Sequence, residues 1–262
     1  MTRFVMSFSG GMCSYVAARR LIDRHGTKSV TLLFADTLIE HHDLYRFLGD
    51  ASEDLGVVVT RIADGRTPWD VFFENRMMGN TRVDLCSRIL KRELLDRWCN
   101  ENCNRRNTVL CAGLSYGERD RYVRFRARMR AKGWKVQAPA MGPQKETKAD
   151  MLAFMRAKGI EPSDSYDDGF AHDNCGGGCI KQGQKGFINL LVKRPAVFDY
   201  WETNEQKFRA MVGKDVAILR DRTGGKTKPL TLRVLRERVE ARQFDCLNFA
   251  DEGSGCGCAI DG

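Results

Sequence analysis

Cysteine and glycine carry the first chemical signal in this chain. Cys175 and Cys179 bracket Gly176-Gly177-Gly178, a spacer pliant enough for both sulfurs to face one point. Cys86 lies far before this pair, and Cys256-Gly257-Cys258 far after it. A close pair joined by distant cysteines fits a tetrahedral Zn2+ site or a 4Fe–4S cluster. His172 stands just ahead of the pair and is a candidate for a Cys3His site, though one histidine beside a loop more often serves in hydrogen bonding. The plainer alternative is a set of reduced thiols around a glycine turn. Cys99, Cys103 and Cys111 read as structural, as does Cys13 unless it touches phosphate. His25, His41 and His42 have no ligand spacing.

A second group of candidates falls where strand-like runs give way to helical ones. Ser9-Gly10-Gly11-Met12-Cys13-Ser14 is such a junction. Its glycines let backbone amides approach an oxyanion, while a helix N-terminus and the Ser9 and Ser14 hydroxyls add donors. The loop is neither a Rossmann fingerprint nor a Walker A motif. Gly224-Gly225-Lys226-Thr227 imitates the end of a Walker A loop, but Arg220 stands where its first glycine belongs and Pro229 where a helix should propagate. Asp36 closes another apolar run, with Glu40 shortly after. A carboxylate at that edge can meet a ribose or adenine, or cap the next helix. Cys86 and Lys91 open a further helical stretch, and Gly113 to Arg119 follow the next strand-like run.

The elements that must position these residues can be read from periodicity. Short apolar runs over 3–8, 29–35, 57–62, 107–112 and 136–140 predict five strands. Helical spacing between them covers 15–22, 43–55, 69–77, 87–102 and 117–132. Alternation of this kind predicts an α/β fold, a doubly wound five-stranded parallel sheet with helices on both faces. The character changes after Pro143. Thr147 and Asp150 predict a capped helix over 148–158, and helices are expected near 186–192, 196–212 and 232–242. A nucleotide-binding domain over 1–145 and a helical, cysteine-bearing extension over 146–262 follow as expectations.

The order of these motifs resembles the PP-loop enzymes, adenine nucleotide α-hydrolases of the phosphoadenosine phosphosulfate (PAPS) reductase type. Strand–Ser-Gly-Gly–helix, Phe34-Ala35-Asp36-Thr37 with Glu40, Cys86 to Lys91 and Gly113 to Arg119 carry the resemblance. It continues through Ile160-Glu161-Pro162, Asn174-Cys175 to Cys179-Ile180-Lys181, Pro195-Ala196-Val197-Phe198 and the terminal Cys-Gly motif. It is nearest to the reductase-like proteins of bacteria and their phages. The resemblance implies ATP or another adenine nucleotide at the C-terminal strand ends. Ser9, Gly10, Gly11 and Ser14 would then hold phosphate, Asp36 would lie near the adenosine with Gly113 in the pocket, and Lys91 and Arg119 would meet the anionic end.

The resemblance also implies sulfur chemistry: ATP-dependent adenylation, or attack on a phosphosulfate by a C-terminal thiolate, for which Cys256 and Cys258 are the candidates and Lys91 a catalytic partner. Related assimilatory reductases hold a 4Fe–4S cluster, which here would fall to Cys86, Cys175, Cys179 and Cys256 or Cys258, with Zn2+ as the alternative. One departure is Cys13, where the common loop has aspartate, so Mg2+-assisted pyrophosphate release would lack a carboxylate from the loop.

Charge adds a partner. Lys and Arg number 43 against 34 Asp and Glu, a formal +9, which suits an anionic ligand. Arg121, Arg124 and Arg128 fall on one stripe of a basic helix, expected either as a groove for RNA or DNA or as a solvated face. No apolar run approaches the ~20 residues of a membrane span, and no secretory signal is seen, so a cytoplasmic protein without membrane contact is expected. A non-catalytic nucleotide- or nucleic-acid-binding module with structural zinc is the rival reading.

Overall fold

The computed structural model describes residues 1–80, 82–143 and 145–241. Its centre is the all-parallel sheet that the alternating runs predict. In chain order the elements are β1 (Arg3–Ser7), α1 (Met12–His25), β2 (Val30–Asp36), α2 (His42–Leu55), β3 (Val59–Ala63) and α3 (Pro68–Glu74). Next, α4 (Leu85–Ser87), a π-helical stretch (Arg88–Glu93) and α5 (Leu94–Asn102) run on as one helix. β4 (Thr108–Ala112), α6 (Arg119–Ala131) and β5 (Lys135–Gln137) complete the sheet layer. The strand order is β3-β2-β1-β4-β5, with Val5 in register with Thr31 on one side and Leu110 on the other. Winding therefore reverses between β1 and β4, where the C-terminal strand ends leave a crevice.

Burial on both faces explains the unbroken apolar run of β2. Leu32 and Phe34 enter one core with Met6, Tyr15 and Phe47. Leu33 enters the other, with Val5, Leu110, Phe125 and Met129. α7 (Lys148–Ala157) starts on the predicted Thr147/Asp150 capping box and sends Met151 and Met155 into the first core. The remaining helices are α8 (Gly183–Lys193), α9 (Pro195–Val212) and α10 (Leu232–Glu240). They join α3 in a third core around Trp69, Phe72, Phe187, Phe198 and Trp201.

Three differences from the sequence reading have simple causes. β5 spans Lys135–Gln137 rather than reaching Ala140, because Pro139 offers no N–H to a ladder. α3 stops at Glu74, since Arg76 takes a left-handed φ of 48°. An antiparallel pair, β6 (Leu219–Asp221) and β7 (Lys228–Leu230), has strands too short for periodicity to reveal. Their connection holds Gly224-Gly225-Lys226-Thr227, a hairpin turn leading to a strand rather than to a helix. No helix among the described residues is long and apolar enough to cross a membrane.

Candidate functional site

At the β1–α1 junction the chain turns through Gly10 at φ +76°, where an added Cβ would lie 2.1 Å from Leu44 Cδ1. A side chain at that position would meet both backbone strain and α2. α1 then begins on Gly11 with no side-chain cap and no acid in its first turn, leaving its positive end available to an anion. Ser14 Oγ donates to Gly11 O at 2.7 Å, and Ser9 Oγ lies 3.4 Å from Ser14 Oγ. Gly113, past the end of β4, permits a close backbone-to-backbone approach: its Cβ would sit 2.5 Å from Ser14 Cα and 2.8 Å from Ser14 N.

This junction floors an open cleft with about 110 Å3 of free space. Ser9, Gly11, Cys13, Ser14 and Gly113 line it, as do Lys91, Arg121 and Lys148. Its far wall comes from residues beyond α7: Tyr166, His172, Asp173 and Asn174. Tyr166 Oη accepts from Met12 N at 3.3 Å, fastening that wall to the first amide of α1. Burial, and then the Glu118 carboxylate, push the Cys13 thiol up to about 11, so it is neutral at pH 7.

The π-helical stretch contains Lys91, which is 6% exposed. Its Nζ is 3.4 Å from Glu40 Oε1 and 3.3 Å from Asn174 Oδ1. Glu40, with its side chain buried, also accepts from Thr37 Oγ1 at 2.8 Å and from the backbone N–H of Cys175. One carboxylate thus ties the end of β2, Lys91 and the cysteine loop together.

Lys91 also borders a much smaller cavity, with about 10 Å3 of free space, lined by Cys86, Cys175, Cys179, Ile180 and Trp201. Gly178 lets the indole approach so closely that an added Cβ would lie 1.8 Å from Trp201 Nε1. That Nε1 is buried without a hydrogen-bond partner. Three cysteines and a lysine bordering one cavity, beside a buried indole N–H, are a donor set whose chemistry suits a sulfide-rich, negatively charged group. Among the described residues, His41, His42 and Asp164 have three ligand atoms all within 4.8 Å of one another. In the His41–His42–Asp164 group, Arg194 Nη2 takes Asp164 Oδ1 at 2.9 Å, and its charge opposes a cation there.

Of the residues singled out from sequence, Ser9, Gly11, Ser14, Gly113 and Lys91 line the cleft, and Cys86, Cys175 and Cys179 meet at the second cavity. Asp36 does not line the cleft. It is 0% exposed, taking Arg61 Nε at 2.6 Å, Leu38 N at 2.7 Å and Tyr45 Oη at 3.1 Å. Arg119 is exposed at the start of α6 and does not line the cleft; Arg121 does. The expected stripe is divided: Arg121 is held by Glu118, Arg128 lies over the Phe125 ring, and Arg124 is exposed. Cys256 and Cys258 lie outside the described residues.

Tyr166, Lys148, Asp173 and Trp201 were not found from sequence: the loops that deliver Tyr166 and Asp173 have no periodicity to read, and the helices that carry Lys148 and Trp201 do not reveal which residues meet a cavity. The only signals were the polar stretch 162–169 and the run His172-Asp173-Asn174. No family model matches the chain, and no curated protein matches it.

Proposed function

We propose that this chain is an adenine-nucleotide-binding enzyme of the PP-loop, PAPS reductase-like type that transfers or reduces sulfur. The observation that carries the reading is Lys91, which lines both the phosphate-suited cleft and the three-cysteine cavity. A nucleotide on the Ser9–Ser14 loop would have its phosphates near Lys91, Arg121 and Lys148. Glu40 keeps Lys91 and the Cys175 loop in fixed relation, so an anionic group in the cleft and the cysteines share one cation.

Cys86, Cys175 and Cys179 would hold the metal centre, with a terminal cysteine as fourth ligand. A 4Fe–4S cluster would supply electrons or a site for sulfur beside the nucleotide. The resemblance to assimilatory reductases favours the cluster over zinc. Two reactions fit. In the first, ATP adenylates an acceptor oxygen with release of pyrophosphate, and sulfur then displaces AMP. In the second, a thiolate of Cys256 or Cys258 attacks the sulfur of a bound phosphosulfate, forming a thiosulfonate as the S–O bond breaks and the adenosine phosphate leaves. The neutral Cys13 thiol serves neither as base nor as nucleophile. A nucleic-acid acceptor is supported by α6, which begins at the cleft and carries exposed Arg119, Arg124, Arg126 and Arg130 away from it.

Cys13 favours a second reading, a non-catalytic nucleotide- or nucleic-acid-binding module with structural zinc, because the loop has no carboxylate for Mg2+. Anaerobically purified full-length protein, assayed for iron, zinc and pyrophosphate release from ATP with and without nucleic acid, separates the two. Iron with acid-labile sulfide and pyrophosphate release are expected. Stoichiometric zinc without turnover would establish the binding module instead.

A further inference from the structure

The far wall of the cleft reaches the Ser9–Ser14 loop through one oxygen. Tyr166 Oη accepts from Met12 N at 3.3 Å, and a Cβ added at Gly11 would lie 3.1 Å from the same oxygen. A phenolic oxygen therefore stands against the first amide of α1, at the helix end that attracts negative charge. The next amides of that turn are used within the chain: Ser14 N and Tyr15 N both donate to Gly11 O, at 3.0 and 3.1 Å. Met12 N instead takes an acceptor 154 residues away. The contact is held from behind. Tyr166 packs against the first core, and the turn that carries it is gripped by buried Arg194. Arg194 Nη2 donates to Asp164 Oδ1 at 2.9 Å and to Ser165 Oγ and Asp168 Oδ2, each at 3.0 Å. A fixed frame thus presents the phenol to the loop.

We propose that Tyr166 is a strap that the ligand's phosphate must displace, its hydroxyl and a phosphate oxygen competing for the Met12 amide. This rests on the nucleotide reading of the cleft and deepens it to the regulation of binding. One N–H makes one strong hydrogen bond at a time. An anionic oxygen is the better acceptor, because charge-assisted bonds are roughly twice as strong as those between uncharged groups. The positive end of α1 favours the anion over the phenol in the same direction. Tyr166 therefore stabilises the free loop and weakens its hold on any phosphate-bearing ligand. Arg194 makes the effect persistent, since it returns the turn, and the phenol with it, to the loop once the phosphate leaves.

The test is equilibrium binding of ATP and of inorganic pyrophosphate to full-length wild type and Tyr166→Phe. Phenylalanine keeps the ring in the core and removes only the competing oxygen. Tyr166→Phe should bind both ligands about two- to tenfold more tightly than wild type, because one hydrogen bond no longer has to be broken. Thermal melts give a second readout. Without ligand Tyr166→Phe should melt below wild type, and at saturating ATP or pyrophosphate the difference should vanish. A difference of the same size with and without ligand would make the contact merely structural and overturn the strap. Equal binding by the two proteins would overturn it too, and weaker binding by Tyr166→Phe would replace it with a direct contact between Tyr166 and ligand; the nucleotide reading survives all three. Wild type binding pyrophosphate but not ATP would overturn the nucleotide reading, with the strap then decided on pyrophosphate. No binding of either ligand by wild type would overturn both.

Discussion

Gly113→Ala makes the most direct demand on the geometry of the cleft. The new methyl would lie 2.5 Å from Ser14 Cα and 2.8 Å from both Ser14 N and Cβ. Ordinary carbon contacts are about 3.5–4.0 Å, so β4 and α1 would have to separate by roughly 1 Å. Two of the three atoms are backbone, and no rotamer change relieves the clash. Overpacking of this kind costs about 1–3 kcal/mol, and for a chain of this size each kcal/mol moves the melting temperature by about 2–4 °C. Calorimetry should therefore show a drop of about 2–12 °C. Because the separation acts on the first turn of α1, ATP affinity should fall by tenfold or more. Gly117→Ala is the control, with its nearest atom at 4.0 Å, and should melt and bind like wild type. A Gly113→Ala protein that matches this control in both measurements would refute the close approach and the placement of the loop.

Gly178→Ala would drive a methyl into Trp201 Nε1, so metal per chain after anaerobic purification should drop sharply; unchanged loading would separate this loop from the metal centre. Glu205 is 0% exposed and accepts the N–H groups of Ile218 and Leu232, yet burial pushes its carboxyl from 4.5 up to about 7. The folded state then keeps a proton that the unfolded chain releases first, so stability relative to Glu205→Gln should decline as pH rises from about 4.5 to about 7 and level off above. Parallel melting profiles for the two proteins would contradict this. Replacing exposed Arg126 and Arg130 by Glu should lower the slope of log affinity for nucleic acid against log salt by roughly two, and an unchanged slope would leave α6 as solvated surface.

β2 was legible because it is buried on both faces, and β1 and β4 because they run into glycine turns, whereas the half-exposed β3 and β5 leave a weaker pattern. The phosphate loop and the cysteine set were legible as spacing. What spacing could not convey was which face of a helix meets the cleft. Arg119 and Arg121 differ by two positions on α6, about 200° of helical rotation, and only the packing of Phe125 and Met129 decides that Arg121 turns inward. Asp36 shows the same limit: a carboxylate at a strand end can face ligand or protein, and Arg61 and Tyr45, remote in sequence, bond to this one. The far wall, with Tyr166 and Asp173, comes from irregular chain whose position is set by tertiary contacts such as the hydrogen bond to Met12 N.

Titration of ATP into anaerobically prepared full-length protein by isothermal calorimetry tests the central claim most directly. One ATP per chain should bind, with the affinity lost in Gly10→Val and weakened in Lys91→Ala. Absence of ATP binding by the wild type would contradict the account.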